Sequence, residues 1–224
     1  MISLLGVPMT LPHVDTVFFL IDILGVFVGA VGGGISAIRD TRYKYDVIGV
    51  VGLAFVSALG GGIARDIILQ KGPPLAFIDA RYAITALVGG FATLLGFSWM
   101  GRKTEYAILL IDAAALGLFA AAGTIRATDA GLTWLPSLLL GVVTAVGGGS
   151  LRDVLTGRTP KVFEGGQFYA IAALLGAACF LAAHKVGFSR PSATLIGTIG
   201  AMLLRVLSVH FNWRTQPVRN LSQS

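Results

Sequence analysis

The chain has 224 residues, 55% hydrophobic and only 12% charged. A soluble domain carries about 25% charged residues, so the composition excludes an ordinary soluble enzyme and describes an all-α integral membrane protein. The net charge of +6 then reflects Lys and Arg in cytoplasmic loops rather than a nucleic-acid partner.

A spanning helix needs about 20 mostly apolar residues. Seven stretches qualify in chain order: Val14–Ile38, Val47–Leu69, Tyr82–Met100, Tyr106–Ile125, Leu132–Leu155, Gln167–Ala183 and Pro191–Phe211. They form a single transmembrane domain over 1–211, followed by a polar cytoplasmic tail, 212–224, expected to be disordered. The first dozen residues carry no Lys or Arg, so no cleaved signal peptide is expected. Cys179 is the single cysteine, which excludes an intrachain disulfide. Alternate loops carry 11 and 6 of the Lys and Arg residues. The richer side is read as cytoplasmic, with the N-terminus outside and the C-terminus inside.

Two stretches organise the chain. Gly60-Gly61-Gly62-Ile63-Ala64-Arg65-Asp66 lies in the second span and Gly147-Gly148-Gly149-Ser150-Leu151-Arg152-Asp153 in the fifth. A shift of 87 superposes them and carries Ser57 onto Thr144, Tyr82 onto Tyr169 and Gly89 onto Gly176; a shift of 90 carries Leu20-Ile21-Asp22 onto Leu110-Ile111-Asp112. Each unit, about 15–100 and 105–187, holds three spans. An odd number reverses direction, so the two repeats are inverted, and the seventh span (191–211) stands outside them. Inverted repeats with broken helices near the midplane are a transport architecture.

Glycine is about 1 kcal/mol worse than alanine in a helix, so each triplet is expected to break its span. The carbonyls of Ser57–Leu59 and Thr144–Val146 would then be free to meet a desolvated cation, with the hydroxyls of Ser57 and Thr144 one turn earlier. Asp66 and Asp153 would begin the second half-helices. Arg65 and Arg152 would pair with an acid, cap free carbonyls or hold a lipid phosphate. Adjacent Arg and Asp point apart on a helix, so each is expected to pair elsewhere. The ion pathway is therefore assigned to Ser57, Gly60, Gly61, Gly62, Arg65, Asp66, Thr144, Gly147, Gly148, Gly149, Arg152 and Asp153. Close helix packing is the competing reading of the glycines.

Asp22 and Asp112 are secondary candidates. Gly25, Gly29, Gly32 and Gly33 share a helix face with Asp22; Ala115, Ala122 and Gly123 share one with Asp112, and Phe119 breaks that stripe. The two acids attract cations or hold neighbouring helices. A two-aspartate protease would carry Tyr-Asp and Gly-x-Gly-Asp, whereas both acids here follow Ile. His13, His184 and His210 lack metal-ligand spacing. There is no nucleotide motif and no nucleophile with its base, so neither an enzyme nor a cofactor is expected.

The paired GGGxxRD motifs resemble the prokaryotic trimeric intracellular cation (TRIC) channel family, also labelled glycine-transporter-domain inner-membrane proteins. The resemblance spans about residues 15–210. It implies a homotrimer in the prokaryotic plasma membrane, with a pore in each subunit permeable to K+ and other monovalent cations, Na+ among them. It also implies bends of the second and fifth spans at the triplets. Animal members carry a phosphoinositide-associated Lys after a triplet; here Ile63 and Ser150 stand there. A secondary transporter of a small zwitterion such as glycine is the alternative, since half-helix N-termini near Gly62 and Gly149 would hold a carboxylate.

Overall fold

A computed structural model describes residues 15–96, 104–164 and 168–215. Among these residues it contains eight helices: α1 (Thr16–Ile38), α2 (Val47–Leu69), α3 (Leu75–Ile78), α4 (Ala80–Gly96), α5 (Thr104–Asp129), α6 (Trp134–Leu155), α7 (Tyr169–Lys185) and α8 (Arg190–His210). Five of them, α1, α2, α5, α6 and α8, are long and apolar enough to cross a membrane; α4 and α7 are apolar but 17 residues each. Val14 of the expected first span, residues 97–100 of the third, Gln167 of the sixth and residues 216–224 of the tail lie outside the described residues.

Helix starts follow local chemistry. The carboxylates of Asp15 and Asp46 accept from the backbone N–H groups of Val17 and Gly49, satisfying donors that a first turn leaves free. Ser189 caps α8 ahead of Pro191 at the first turn. The chain leaves α2 through Gln70 at φ 51° and Gly72 at φ 102°, the second a conformation that suits glycine. Pro74 then begins the four-residue α3.

α5 lies at the centre and packs on α1, α6, α7 and α8. Its buried residues are mostly small: Ala113, Ala120, Ala121, Ala122 and Ala127, with Leu116, Phe119 and Ile125 between them. Leu20, Ile48, Ile67, Phe91, Leu95 and Leu203 are exposed. Small residues inside and large apolar residues outside are what lipid favours, because close packing rather than water expulsion holds membrane helices together.

The first residues of the expected tail are ordered. Trp213 N–H donates to the Ser208 carbonyl at 2.8 Å, and its ring stacks on Phe211 at 5.6 Å and faces Phe168 at 6.2 Å.

Candidate functional site

The triplets do not break their helices. α2 runs unbroken through Gly60–Gly62 and α6 through Gly147–Gly149. An unpaired backbone group in hydrocarbon costs several kcal/mol, which outweighs the propensity penalty of three glycines. Asp66 and Asp153 therefore lie near helix C-termini and begin no half-helix.

The first two glycines of each triplet bring α2 and α6 into backbone contact. A Cβ on Gly61 would collide with the Thr144 carbonyl oxygen, and one on Gly148 with the Ser57 carbonyl oxygen. A Cβ on Gly147 would stand 3.1 Å from the Gly61 Cα. Gly60 faces Leu151 and Gly148. The third glycines do something different. A Cβ on Gly62 would meet only the Arg65 guanidinium within 4 Å beyond its own helix backbone, and one on Gly149 only the Tyr169 hydroxyl and the Arg152 guanidinium; each glycine lines one of two cavities.

One cavity, with room for about one water at about 10 Å³, is lined by Asp22, Arg65, Asp66 and Tyr82. Arg65 is 1% exposed and Asp22 2%. The guanidinium grips Asp22 with two prongs, Nη1–Oδ1 at 3.1 Å and Nη2–Oδ2 at 3.2 Å. Its Nε donates to its own neighbour Asp66 at 2.8 Å, so the expectation that adjacent Arg and Asp point apart is wrong: Arg is long enough to fold back. Tyr82 donates to Asp22 Oδ2 at 3.1 Å, and the Leu75 N–H to Asp66 Oδ2 at 3.0 Å. Arg126 approaches Asp66 at 4.0 Å. Phe18 faces both guanidiniums, at 5.3 Å from Arg65 and 5.4 Å from Arg126. Two acids thus balance two cations away from water, as buried charge requires.

The second cavity, of about 20 Å³, is lined by Asp112, Arg152, Tyr169 and Ser57, with Gly29, Gly32 and Gly33 of α1 along one wall. Here Arg152 folds back on Asp153, with Nη2–Oδ1 at 2.8 Å, and Asp153 accepts from the Lys161 N–H at 3.4 Å. Among the described residues no ion pair joins Arg152 to Asp112. Asp112 instead meets Lys161 at 4.0 Å and its side chain is 17% exposed. Arg205 and Lys161 face the Tyr169 ring at 5.1 and 5.8 Å.

The structure thus places Asp22, Gly62, Arg65 and Asp66 on one cavity and Ser57, Asp112, Gly149 and Arg152 on the other. It leaves Gly60, Gly61, Gly147 and Gly148 in the helix crossing. Thr144 is fully buried, and its hydroxyl donates back to the Leu140 carbonyl at 2.7 Å. Tyr82, Tyr169, Arg126, Lys161 and Arg205 were not singled out as site residues. The tyrosines carried a signal, since the shift of 87 superposes them together with the triplets.

A clasp closes the helix ends beside the second cavity. Asp40 Oδ2 meets Arg158 at 2.7 Å, and Arg42 donates to the carbonyls of Thr156 and Gly157 at 3.0 and 3.3 Å. Burial pushes the Asp40 carboxyl up, but the Arg42 N–H and the Arg158 guanidinium outweigh it and hold it below the usual carboxylate range. At the other end Lys71 donates to the Ala130 carbonyl at 3.4 Å.

A family model described as glycine transporter matches residues 19–98 and 109–185. A UPF0126 membrane protein of Deinococcus radiodurans is 35% identical over 208 residues, covering 91% of this chain and 92% of that protein. The UPF0126 inner membrane protein YadS of Escherichia coli K12 is 30% identical over 196 residues, covering 87% and 92%. The crystal structure of the TRIC trimeric intracellular cation channel orthologue from Rhodobacter sphaeroides aligns with a TM-score of 0.78 at 33% identity, over 88% of this chain and all of that one. The extent of these matches settles the family: the chain belongs to the glycine-transporter, or UPF0126, membrane proteins, the family of the prokaryotic TRIC channels.

Proposed function

We propose that the protein is a monovalent-cation channel, permeable to K+ and to Na+, with a pore inside each subunit of a homotrimer. The observation that carries this reading is the pair of small cavities inside one subunit, one lined by Asp22, Arg65 and Asp66 and the other by Asp112 and Arg152. Arg65 is neutralised by Asp22 and Asp66, and Arg152 by Asp153. Asp112 faces the second cavity with only the half-exposed Lys161 near it, at 4.0 Å, and an acid on a pore wall favours cations. The R. sphaeroides neighbour, a trimeric cation channel by its description, supports the same reading.

The pore is built from two inverted three-helix repeats, α1, α2 and α4 against α5, α6 and α7, with α8 as the seventh span. Supporting this, residues matched by the sequence shifts meet one another: Gly61 with Gly148, and Gly29 with Phe119. The clasps are matched as well, Lys71 to Ala130 and Arg158 to Asp40. The N-terminus lies outside and the C-terminus inside a prokaryotic plasma membrane, held by lipid and by the other two subunits. Arg65, locked on Asp22, fills the wall of the cavity on the outer side.

The glycine-transporter alternative drew on half-helix N-termini at Gly62 and Gly149. With α2 and α6 continuous, those carboxylate sites are missing. Potassium efflux from proteoliposomes tests the proposal. Rapid efflux that does not saturate and is unaffected by glycine is expected; exchange of internal for external glycine without potassium efflux would overturn it.

A further inference from the structure

The two cavities share one side chain. Phe119 lines both and is itself 5% exposed. Its ring lies against α1 where that helix has no side chains. A Cβ on Gly25 would stand 3.1 Å from Phe119 Cε1, and one on Gly29 2.8 Å from Cε2.

The sequence gives no packing reason for so large a residue there. The stripe on α1 reads Gly25, Gly29, Gly32, Gly33, and its match on α5 reads Ala115, Phe119, Ala122, Gly123. Phe119 falls on Gly29 under the shift of 90, and it is Gly29 that its ring meets. Two small-residue stripes facing each other would leave a continuous gap between the cavities. The ring fills that gap. Around it stand Leu116 and Ala115 on one side and Val26, Ala58 and Leu59 on the other. A cation passing from the Asp22 side to the Asp112 side must therefore cross a hydrocarbon neck, and an apolar constriction stops ions by refusing them water.

We infer that Phe119 is the apolar plug between the two cavities, and that conduction requires its ring to leave the groove of Gly25 and Gly29. This rests on the reading of the protein as a cation channel. The ring is buried in the groove only while the path is shut, so shortening it favours the open form.

The test is recording of the purified full chain in planar bilayers with potassium chloride on both sides. Phe119→Ala should raise open probability by about tenfold or more, because only the closed form loses the ring's burial, while Phe119→Trp should lower it. Phe119→Ala with wild-type open probability and unitary conductance overturns the inference. A second variant covers failure of Phe119→Ala to assemble. Phe119→Cys is made with Cys179→Ala, which removes the chain's single cysteine. A cationic methanethiosulfonate reagent added from either side should then suppress the current. Current that survives reagent on both sides overturns the plug. Wild-type protein that carries no unitary potassium current overturns the channel reading itself, and this inference with it.

Discussion

Arg65 holds Asp22 with both prongs of its guanidinium, across 43 residues of sequence, whereas no ion pair joins their counterparts Arg152 and Asp112 among the described residues. The same residue types thus form a closed cluster at one cavity and an open one at the other. Removing one partner of a buried pair costs about 3–5 kcal/mol, because the other charge is stranded. A chain of this size loses about 2–4 °C of Tm per kcal/mol. Asp22→Ala should therefore lower the melting temperature in detergent by roughly 10 °C on that scale. Asp112→Ala, whose acid is partly exposed and paired at 4.0 Å with a half-exposed Lys161, should lower it by less than half as much. Equal shifts would contradict the asymmetry.

The α2–α6 crossing gives a second prediction. Gly61 and Gly148 face backbone carbonyl oxygens, which cannot step aside as a flexible side chain can. Alanine at either site forces the helices apart, at about 1–3 kcal/mol for an overpacked contact, and leucine costs more. Gly62→Ala meets the Arg65 guanidinium only at 3.6 Å and should be tolerated. Size-exclusion profiles and melting temperatures of Gly61→Ala and Gly62→Ala decide this. Equal stability of the two would remove the backbone contact from the account.

The clasp at Asp40 is pH-dependent with a definite sign. Its folded pKa lies below the ordinary value, so its contribution is present above the unfolded aspartate pKa of about 3.9 and is lost as pH falls through the lower folded value. Wild-type protein should melt higher than Asp40→Asn by a constant margin from about pH 7 to pH 5, and the margin should shrink once pH falls below about 3.9 and vanish only past the lower folded value. A margin that shrinks between those two higher values would show that another group carries the effect.

Much of this was legible beforehand because lipid constrains helices so strongly. The expected second span, Val47–Leu69, coincides with α2, and Lys71–Pro74 forms the turn that proline and glycine announce. α3 was missed because four residues are too few to display a period. The triplets were misjudged for a physical reason. Helix propensity measured in water suggests a break, but in hydrocarbon the backbone must keep its hydrogen bonds. Three small residues therefore let two helices touch without interrupting either. The self-pairing of Arg65 with Asp66 was hidden because sequence spacing describes Cβ directions and not the reach of a long side chain. Arg126 and Arg205 share no motif with the triplets; packing against Phe18 and Tyr169 brings them to the clusters, and Arg126 also nears Asp66.

Assembly gives the fourth prediction. α8 exposes Leu195, Ile199 and Leu203, which lipid can cover, so the trimer rests on the family likeness and must be measured. Cross-linking in native membranes should stop at three subunits. A product that stops at two would refute the trimer without touching the pore.

The most direct measurement of the central claim is the current through purified wild-type protein in a planar bilayer under a potassium chloride gradient. The account predicts discrete unitary currents that reverse near the potassium equilibrium potential. A bilayer with no unitary events, from protein that performs saturable glycine counterflow in liposomes, would contradict it.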